Sequence, residues 1–346
     1  MCSRGSWAAG GYDVRMKTVG LHQHLPIDDA ESLLDLDLPE PKPLGRDLLV
    51  EVRAVSVNPV DTKRRAMKGP VENPPKVLGY DAAGTVKAIG PEVALFKPGE
   101  EVYYAGSVIR PGTNSELHLV DERIVGRKPR TLSFAEAAAL PLTTLTAWEL
   151  MFDRMGISRN GQDAGKTMLI LAGAGGVGSI AIQLAKKLAR LHVTASASRP
   201  ESIAWAKELG ADATADHTRP LADAEYDYVL CLGPTDGYWT QFPKLLKPQG
   251  KLGLIVRTTK PVDLSILHDK SIGIFLEGMF TRSTFRTPDM VAQHALLNET
   301  ASLIESGILR TTLKENLGRI CAANLKRAHQ RLEQGHAIGK LVLEGW

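Results

Sequence analysis

Apolar and polar residues follow one another along this chain in two rhythms. Over residues 16–130, short runs of strand-like alternation are broken by Gly and Pro, so 47–57, 84–89 and 101–105 read as strands of a compact, mainly β domain. Pro39, Pro41, Pro43, Pro70, Pro74 and Pro75 mark its surface loops. Over residues 140–280, apolar runs are separated by helix-length stretches, which implies parallel strands with helices on both faces. The strands predicted there are 167–171, 191–197, 213–215, 226–232, 251–256 and 271–276, enough for a complete doubly wound α/β sheet. Residues 288–346 open with a helix, run through 303–309 and end in the strand-like 339–343, which is expected to rejoin the sheet of the first domain.

The segment 167–188 reads as a buried strand, a glycine turn and an amphipathic helix, with Ile180, Leu184 and Leu188 at helical spacing. Gly173, Gly175 and Gly178 fill the slots of G-x-G-x-x-G, with Ala174, Gly176 and Val177 between them. The first glycine permits a tight turn, the second lets the backbone approach a pyrophosphate, and the third lets the helix pack close to the strand. A phosphate there meets the open N–H groups and the positive end of the helix. The glycine spacing alone is a weak signal, but the strand before and the helix after make it a dinucleotide cradle. The alternative is a buried strand-turn-helix without a ligand. A membrane span is excluded by four glycines, a Ser and a Gln within the stretch.

The next strand, 191–197, leads into Ser198-Arg199-Pro200-Glu201-Ser202. An NAD site usually ends this strand with Asp or Glu, which accepts from both ribose hydroxyls and repels a phosphate. Here the strand end offers the hydroxyls of Ser196 and Ser198 and the guanidinium of Arg199, whose planar fork of donors suits a 2′-phosphate. The expected cofactor is therefore NADPH. A compatible alternative places Arg199 in solvent at the start of a helix, with Ser198 as N-cap and Pro200 as first helical residue.

At 346 residues the chain exceeds what one core usually supports, so two domains are expected. Its 43% hydrophobic and 23% charged content is that of a soluble globular protein, with a net charge of only +3. No Lys/Arg cluster alternates with aromatics, so neither nucleic acid nor a membrane is an expected partner. Cys2, Cys231 and Cys321 are too few and too scattered for a disulfide framework or a zinc knuckle, and a reducing cytoplasm fits. Residues 1–15 lack a secretory apolar core and read as a loose, disordered leader.

Several motifs together resemble the medium-chain dehydrogenase/reductase superfamily, in its zinc-independent, quinone-oxidoreductase-like branch. They are Ala-Val-Ser-Val-Asn-Pro-Val-Asp ending at Asp61, Gly-Tyr-Asp-Ala-Ala-Gly ending at Gly84, Leu-Pro-Leu-Thr-Thr-Leu-Thr-Ala-Trp ending at Trp148, the glycine turn, and Ile338-Gly339-Lys340. The resemblance implies a GroES-like β-rich catalytic domain over 16–139, a Rossmann NADPH-binding domain over 140–286, and a segment over 287–346 that returns to the catalytic domain. Where the superfamily's catalytic zinc expects ligands, this chain places Asn58, Tyr80 and Leu142, a poor set because Asn and Leu offer no soft or anionic donor and Tyr titrates near pH 10. No metal is expected.

Without a Lewis acid to hold an alkoxide, the easier chemistry is hydride transfer from NADPH into an electron-poor acceptor, a quinone or an α,β-unsaturated carbonyl. Candidate catalytic residues are Asn58, whose amide can orient the nicotinamide or donate to substrate oxygen, and Tyr80, whose phenol can donate or pack. Asp61 and Lys63 follow on the same loop, where a structural or solvated ion pair explains them as well as catalysis does. For the cofactor the resemblance adds Thr146 near the phosphates or nicotinamide, Leu232 and Ile255 at strand ends, Phe280, Thr281 and Arg282 lining the nicotinamide edge through backbone contacts, and Lys340 reaching across the cleft to the cofactor. It also implies a homodimer paired through strand 271–276. Competing readings are an NADP-dependent alcohol dehydrogenase and a catalytically silent dinucleotide-binding redox sensor or scaffold.

Overall fold

The computed structural model describes residues 15–219, 221 and 224–346. The leader expected over 1–15 lies outside the described residues except for Arg15, which opens the first strand, Arg15–Leu21. That strand pairs with Leu34–Pro39 and Lys76–Val77 in a small antiparallel sheet.

A larger sheet carries the chemistry of the N-terminal half. Its central strand, Asp47–Val57, pairs antiparallel with Ala82–Ile89 and Leu117–Asp121, and beyond Ala82–Ile89 lie Glu101–Tyr104 and Val125–Arg127. The last strand of the chain, Lys340–Glu344, pairs antiparallel with the end of Asp47–Val57, with Leu341 opposite Val57 and Glu344 opposite Ala54. This pairing sets Lys340 beside Asn58, 282 positions away in sequence.

The second large sheet is parallel and six-stranded, in the order Ala213–Ala215, His192–Ser196, Thr167–Leu171, Tyr226–Cys231, Leu246–Leu254, Gly273–Leu276. The chain reverses its direction of travel across the sheet beside Thr167–Leu171, and the crevice at the carboxyl ends of the strands there is where doubly wound sheets take their ligands. Met168 and Ile170 are fully buried, as are Ile180 and Leu184 of the helix Gly176–Lys187. Burying each such side chain contributes about 1.5–3 kcal/mol. The six predicted strands are all present, and the fifth begins earlier than its apolar pattern indicates. Pro248 and Gly250 read as a loop, yet an irregularity in pairing and a left-handed Gln249 (φ 63°) carry the strand back to Leu246. Among the described residues, no helix is long and apolar enough to cross a membrane.

Candidate dinucleotide site and the polar cluster beside it

The glycine turn leaves strand Thr167–Leu171 and enters helix Gly176–Lys187 with Gly175 as N-cap, and no side chain caps the first turn. A Cβ on Gly178 would lie 2.5 Å from the carbonyl oxygens of Ala172 and Gly173, so only glycine lets the helix start this close to the strand. A Cβ on Gly173 would lie 2.7 Å from that of Ala195 in the neighbouring strand. Gly175 is different: its Cβ position meets only the Ala172 oxygen, at 3.3 Å, which leaves the backbone open to a ligand. The left-handed residue of the turn is Ala172 (φ 59°), not the first glycine as the motif implies. Ser196 holds that conformation, because its hydroxyl accepts from the Ala172 N–H at 2.8 Å and its carbonyl from the Gly173 N–H at 3.2 Å. Ser196 is buried and serves the turn, a correction to the expectation that its hydroxyl stands beside Arg199 for a 2′-phosphate.

At the end of strand His192–Ser196, Ser198 and Arg199 are half-buried. Arg199, not Ser198, is the N-cap of helix Pro200–Glu208, and its N–H is met by the Ser202 hydroxyl at 3.1 Å. Pro200 takes the first helical position, where its missing N–H costs nothing. The Arg199 guanidinium donates from one Nη to the His336 carbonyl at 3.0 Å, which ties this strand end to the segment preceding Lys340 and leaves the other donors unspent.

The C-terminal strand reaches the turn directly. Gly339 donates to the Ala174 carbonyl at 2.9 Å, and a Cβ on Gly176 would lie 2.9 Å from Lys340 Cδ and 3.1 Å from Thr143 Cγ2, so the lysine stem lies along the cradle. Its ammonium enters a cluster with Asn58, Asp61 and Asp81, in which all four side chains are buried. Lys340 Nζ donates to the Val57 carbonyl at 3.0 Å, to Asp81 Oδ2 at 3.1 Å and to Asn58 Oδ1. Asn58 Nδ2 donates to Asp81 Oδ2 at 2.8 Å, and the Leu142 N–H donates to Asp81 Oδ1 at 2.8 Å. Asp61 Oδ2 accepts from the Asn58 N–H at 2.6 Å, while its other oxygen is buried without a partner.

These contacts revise two expectations. The three ammonium hydrogens of Lys340 are all spent, so it positions its neighbours instead of reaching for a phosphate. The Asn58 amide is likewise consumed by Asp81, Lys340 and a 3.4 Å contact to the Ser56 carbonyl, and has no donor left for a substrate. Burial pushes Asp61 up to about 7, with the Asn58 N–H and Lys340 pulling the other way. Burial also raises Asp81, against the pull of Lys340. Lys63 is exposed on the far side of its short helix and takes no part. Asp81 is the residue that sequence alone did not single out, although an acid between Tyr80 and the apolar run from Ala82 was the available signal, since a buried charge needs a partner.

Tyr80 packs edge-on against Phe280, with ring centroids 5.4 Å apart, and this contact joins the two halves of the molecule. Among the described residues its hydroxyl has no hydrogen-bond partner, and burial raises its pKa above the ordinary phenol value. Thr146 is buried and donates to the Leu142 carbonyl at 2.7 Å, and of the threonines in this helix it is Thr143 whose methyl lies against Gly176. Leu232 and Ile255 follow the ends of their strands, half-buried against the main core. Thr281 is exposed, whereas Arg282 is buried and held by Glu149 at 2.9 Å, Asp153 at 3.1 Å and Asp289 at 3.0 Å. Its guanidinium braces the segment after Phe280 and leaves the backbone there as the part that can face a nicotinamide.

The positions that a catalytic zinc would use do not fit one. Asn58 is spent, Tyr80 stays protonated, Leu142 offers a side chain without a donor, and the Lys340 ammonium already supplies the positive charge that Asp81 needs. Among the described residues, no three His, Cys, Asp or Glu side chains gather where they could hold a metal ion.

Residues 45–146 match the alcohol dehydrogenase GroES-like domain family, and residues 209–343 match the zinc-binding dehydrogenase family. A zinc-type alcohol dehydrogenase-like protein of Staphylococcus aureus is 43% identical over 95% of this chain and 99% of its own. A 2-methylene-furan-3-one reductase of Solanum lycopersicum is 32% identical over 86% of this chain and 71% of its own. A solved structure from Rhizobium etli CFN 42, provisionally named a zinc-dependent alcohol dehydrogenase, superposes with a TM-score of 0.92 at 51% identity, covering 97% of this chain and 99% of its own.

Proposed function

The chain belongs to the medium-chain dehydrogenase/reductase superfamily, and from that premise we propose that it is an NADPH-dependent oxidoreductase that delivers hydride to a quinone or an α,β-unsaturated carbonyl without zinc. The observation that carries this reading is the cluster itself: the Lys340 ammonium, the Asn58 amide and the Asp81 carboxylate satisfy one another where the superfamily would set a metal. The reduced nicotinamide of a bound NADPH supplies the hydride. The open first turn of helix Gly176–Lys187 suits the pyrophosphate, and the unspent donors of Arg199 suit the 2′-phosphate.

Tyr80 is the one polar group of the metal positions that remains free to act. Because burial keeps it protonated over the working pH range, its hydroxyl is a donor for a carbonyl oxygen that gains negative charge as the β-carbon accepts hydride. Phe280 fixes the orientation of its ring. The tomato relative named for reducing a methylene-furanone, a methylene conjugated to a ring ketone, supports this acceptor class.

Titration calorimetry with NADPH and NADH tests the cofactor assignment. A charge-assisted hydrogen bond contributes about 1.5–3 kcal/mol, so NADPH is expected to bind roughly 10- to 100-fold more tightly, with most of the difference lost in Arg199→Ala. Equal or tighter NADH binding by the unaltered protein contradicts the assignment.

A further inference from the structure

Between the β-rich part and the segment that follows Phe280 lies a cavity of about 610 Å³, within the range of small-molecule sites. Arg46, Arg110 and Arg123 form one wall, and Arg286 stands on the other. Three of these guanidiniums are already oriented by acids. Arg110 grips both oxygens of Asp47 at 2.7 and 3.0 Å, Arg123 grips Asp121 at 2.9 and 2.7 Å, and Arg46 donates to Glu122 at 2.6 Å. Arg46 Nη2 and Arg123 Nη1 retain donors with no partner among the described residues. The acids hold these side chains in place without exhausting them.

Arg286 has no acid and no acceptor among the described residues. It closes helix Thr281–Phe285 in the left-handed region, at φ 49° and ψ 50°, a place where glycine is unstrained and a side chain is not. Ser107, in the same lining, buries a hydroxyl that has no partner. A buried hydroxyl left unmet is unfavourable until something satisfies it, and the solvent-exposed Arg286 guanidinium keeps its donors free for a ligand. Glu92 is the one acid of the lining without a guanidinium partner, and its carboxylate opposes an anion wherever the two approach.

We propose that this cavity binds a small oxyanion, a carboxylate or a phosphate, gripped by Arg286 with the Arg46 and Arg123 donors and completed by the Ser107 hydroxyl. The site is separate from the dinucleotide cradle and does not rest on the cofactor assignment. Because helix Thr281–Phe285 begins immediately after the Phe280 that packs on Tyr80, a bound anion ties that helix to the β-rich wall one turn from the aromatic pair.

Calorimetric titration of the full chain with inorganic phosphate, and separately with succinate, at an ionic strength held constant with chloride, tests the proposal. Saturable binding of at least one probe is expected, weakened at least 10-fold in Arg286→Gly and less in Ser107→Ala. Arg286→Gly relieves the backbone, so its Tm should stay level or rise, which separates lost binding from lost fold. Absence of saturable binding for both probes overturns the proposal. So does binding unchanged by Arg286→Gly, or binding lost only in Arg199→Ala, which would place the anion at the adenosine end of the cradle.

Discussion

The glycine turn and the polar cluster touch through Lys340, yet they are built by opposite means. The turn is a contiguous stretch whose work is done by backbone: a close approach at Gly178, an open approach at Gly175, and a helix start with free N–H groups. The cluster gathers side chains 282 positions apart, and its stability depends on the Lys340 ammonium meeting the Asp81 carboxylate. The difference shows how one fold separates its tasks. Phosphate recognition rests on geometry that few side chains can disturb, while the chemistry beside it rests on a set of side chains that can hold a metal or, as here, an ammonium.

Breaking the cluster should have the largest effect. Lys340→Met leaves Asp81 buried without its cation, which costs about 3–5 kcal/mol in a denaturant melt. Adding Asp81→Asn should recover part of that loss, since the second change removes the stranded charge. A Lys340→Met protein with an unchanged midpoint would mean that the pair contributes nothing to folding.

A pH series sharpens the same side of the comparison. Asp61 holds its proton up to about pH 7 in the folded chain, whereas the unfolded chain releases it near its ordinary 3.8. Its contribution is therefore full below about pH 4 and is lost as the pH rises through 7, by at most roughly 4 kcal/mol. Asp61→Asn keeps an acceptor for the Asn58 N–H and removes the titration, so its stability should fall less between pH 4 and 8 in urea unfolding. Parallel pH profiles for the two proteins would contradict the assigned shift.

On the cradle side, two glycines should part company. Gly178→Ala drives a methyl into backbone oxygens and is expected to cost about 1–3 kcal/mol of stability along with NADPH affinity. Gly175→Ala has room in the fold, so it should leave the melt unchanged while weakening NADPH at least 10-fold by calorimetry. If both variants lose stability equally, the space at Gly175 is structural and not kept for a ligand.

This contrast also explains what the sequence made legible. The parallel sheet was readable from the run and spacing of apolar residues, and the turn from three glycines between a strand and a helix, because both are local. The β-rich strands were readable for the same reason. The polar cluster was not. Nothing near Asn58 announces that Lys340 will consume its oxygen, since strand pairing between Asp47–Val57 and Lys340–Glu344 creates that contact. Ser196 misled for a related reason: its residue type suits a cofactor, but the Ala172 backbone amide claims its hydroxyl first. Residue type marks what a group can do, and only the fold decides which partner it meets.

The account turns on an ammonium standing where a metal would otherwise be needed. Its most direct test is NADPH oxidation with a quinone and an α,β-unsaturated ketone, by purified protein before and after exhaustive chelation, with metal content measured in the same samples. The account predicts the same rate in both, with no gain on adding zinc. Activity that disappears on chelation and returns with zinc would contradict it.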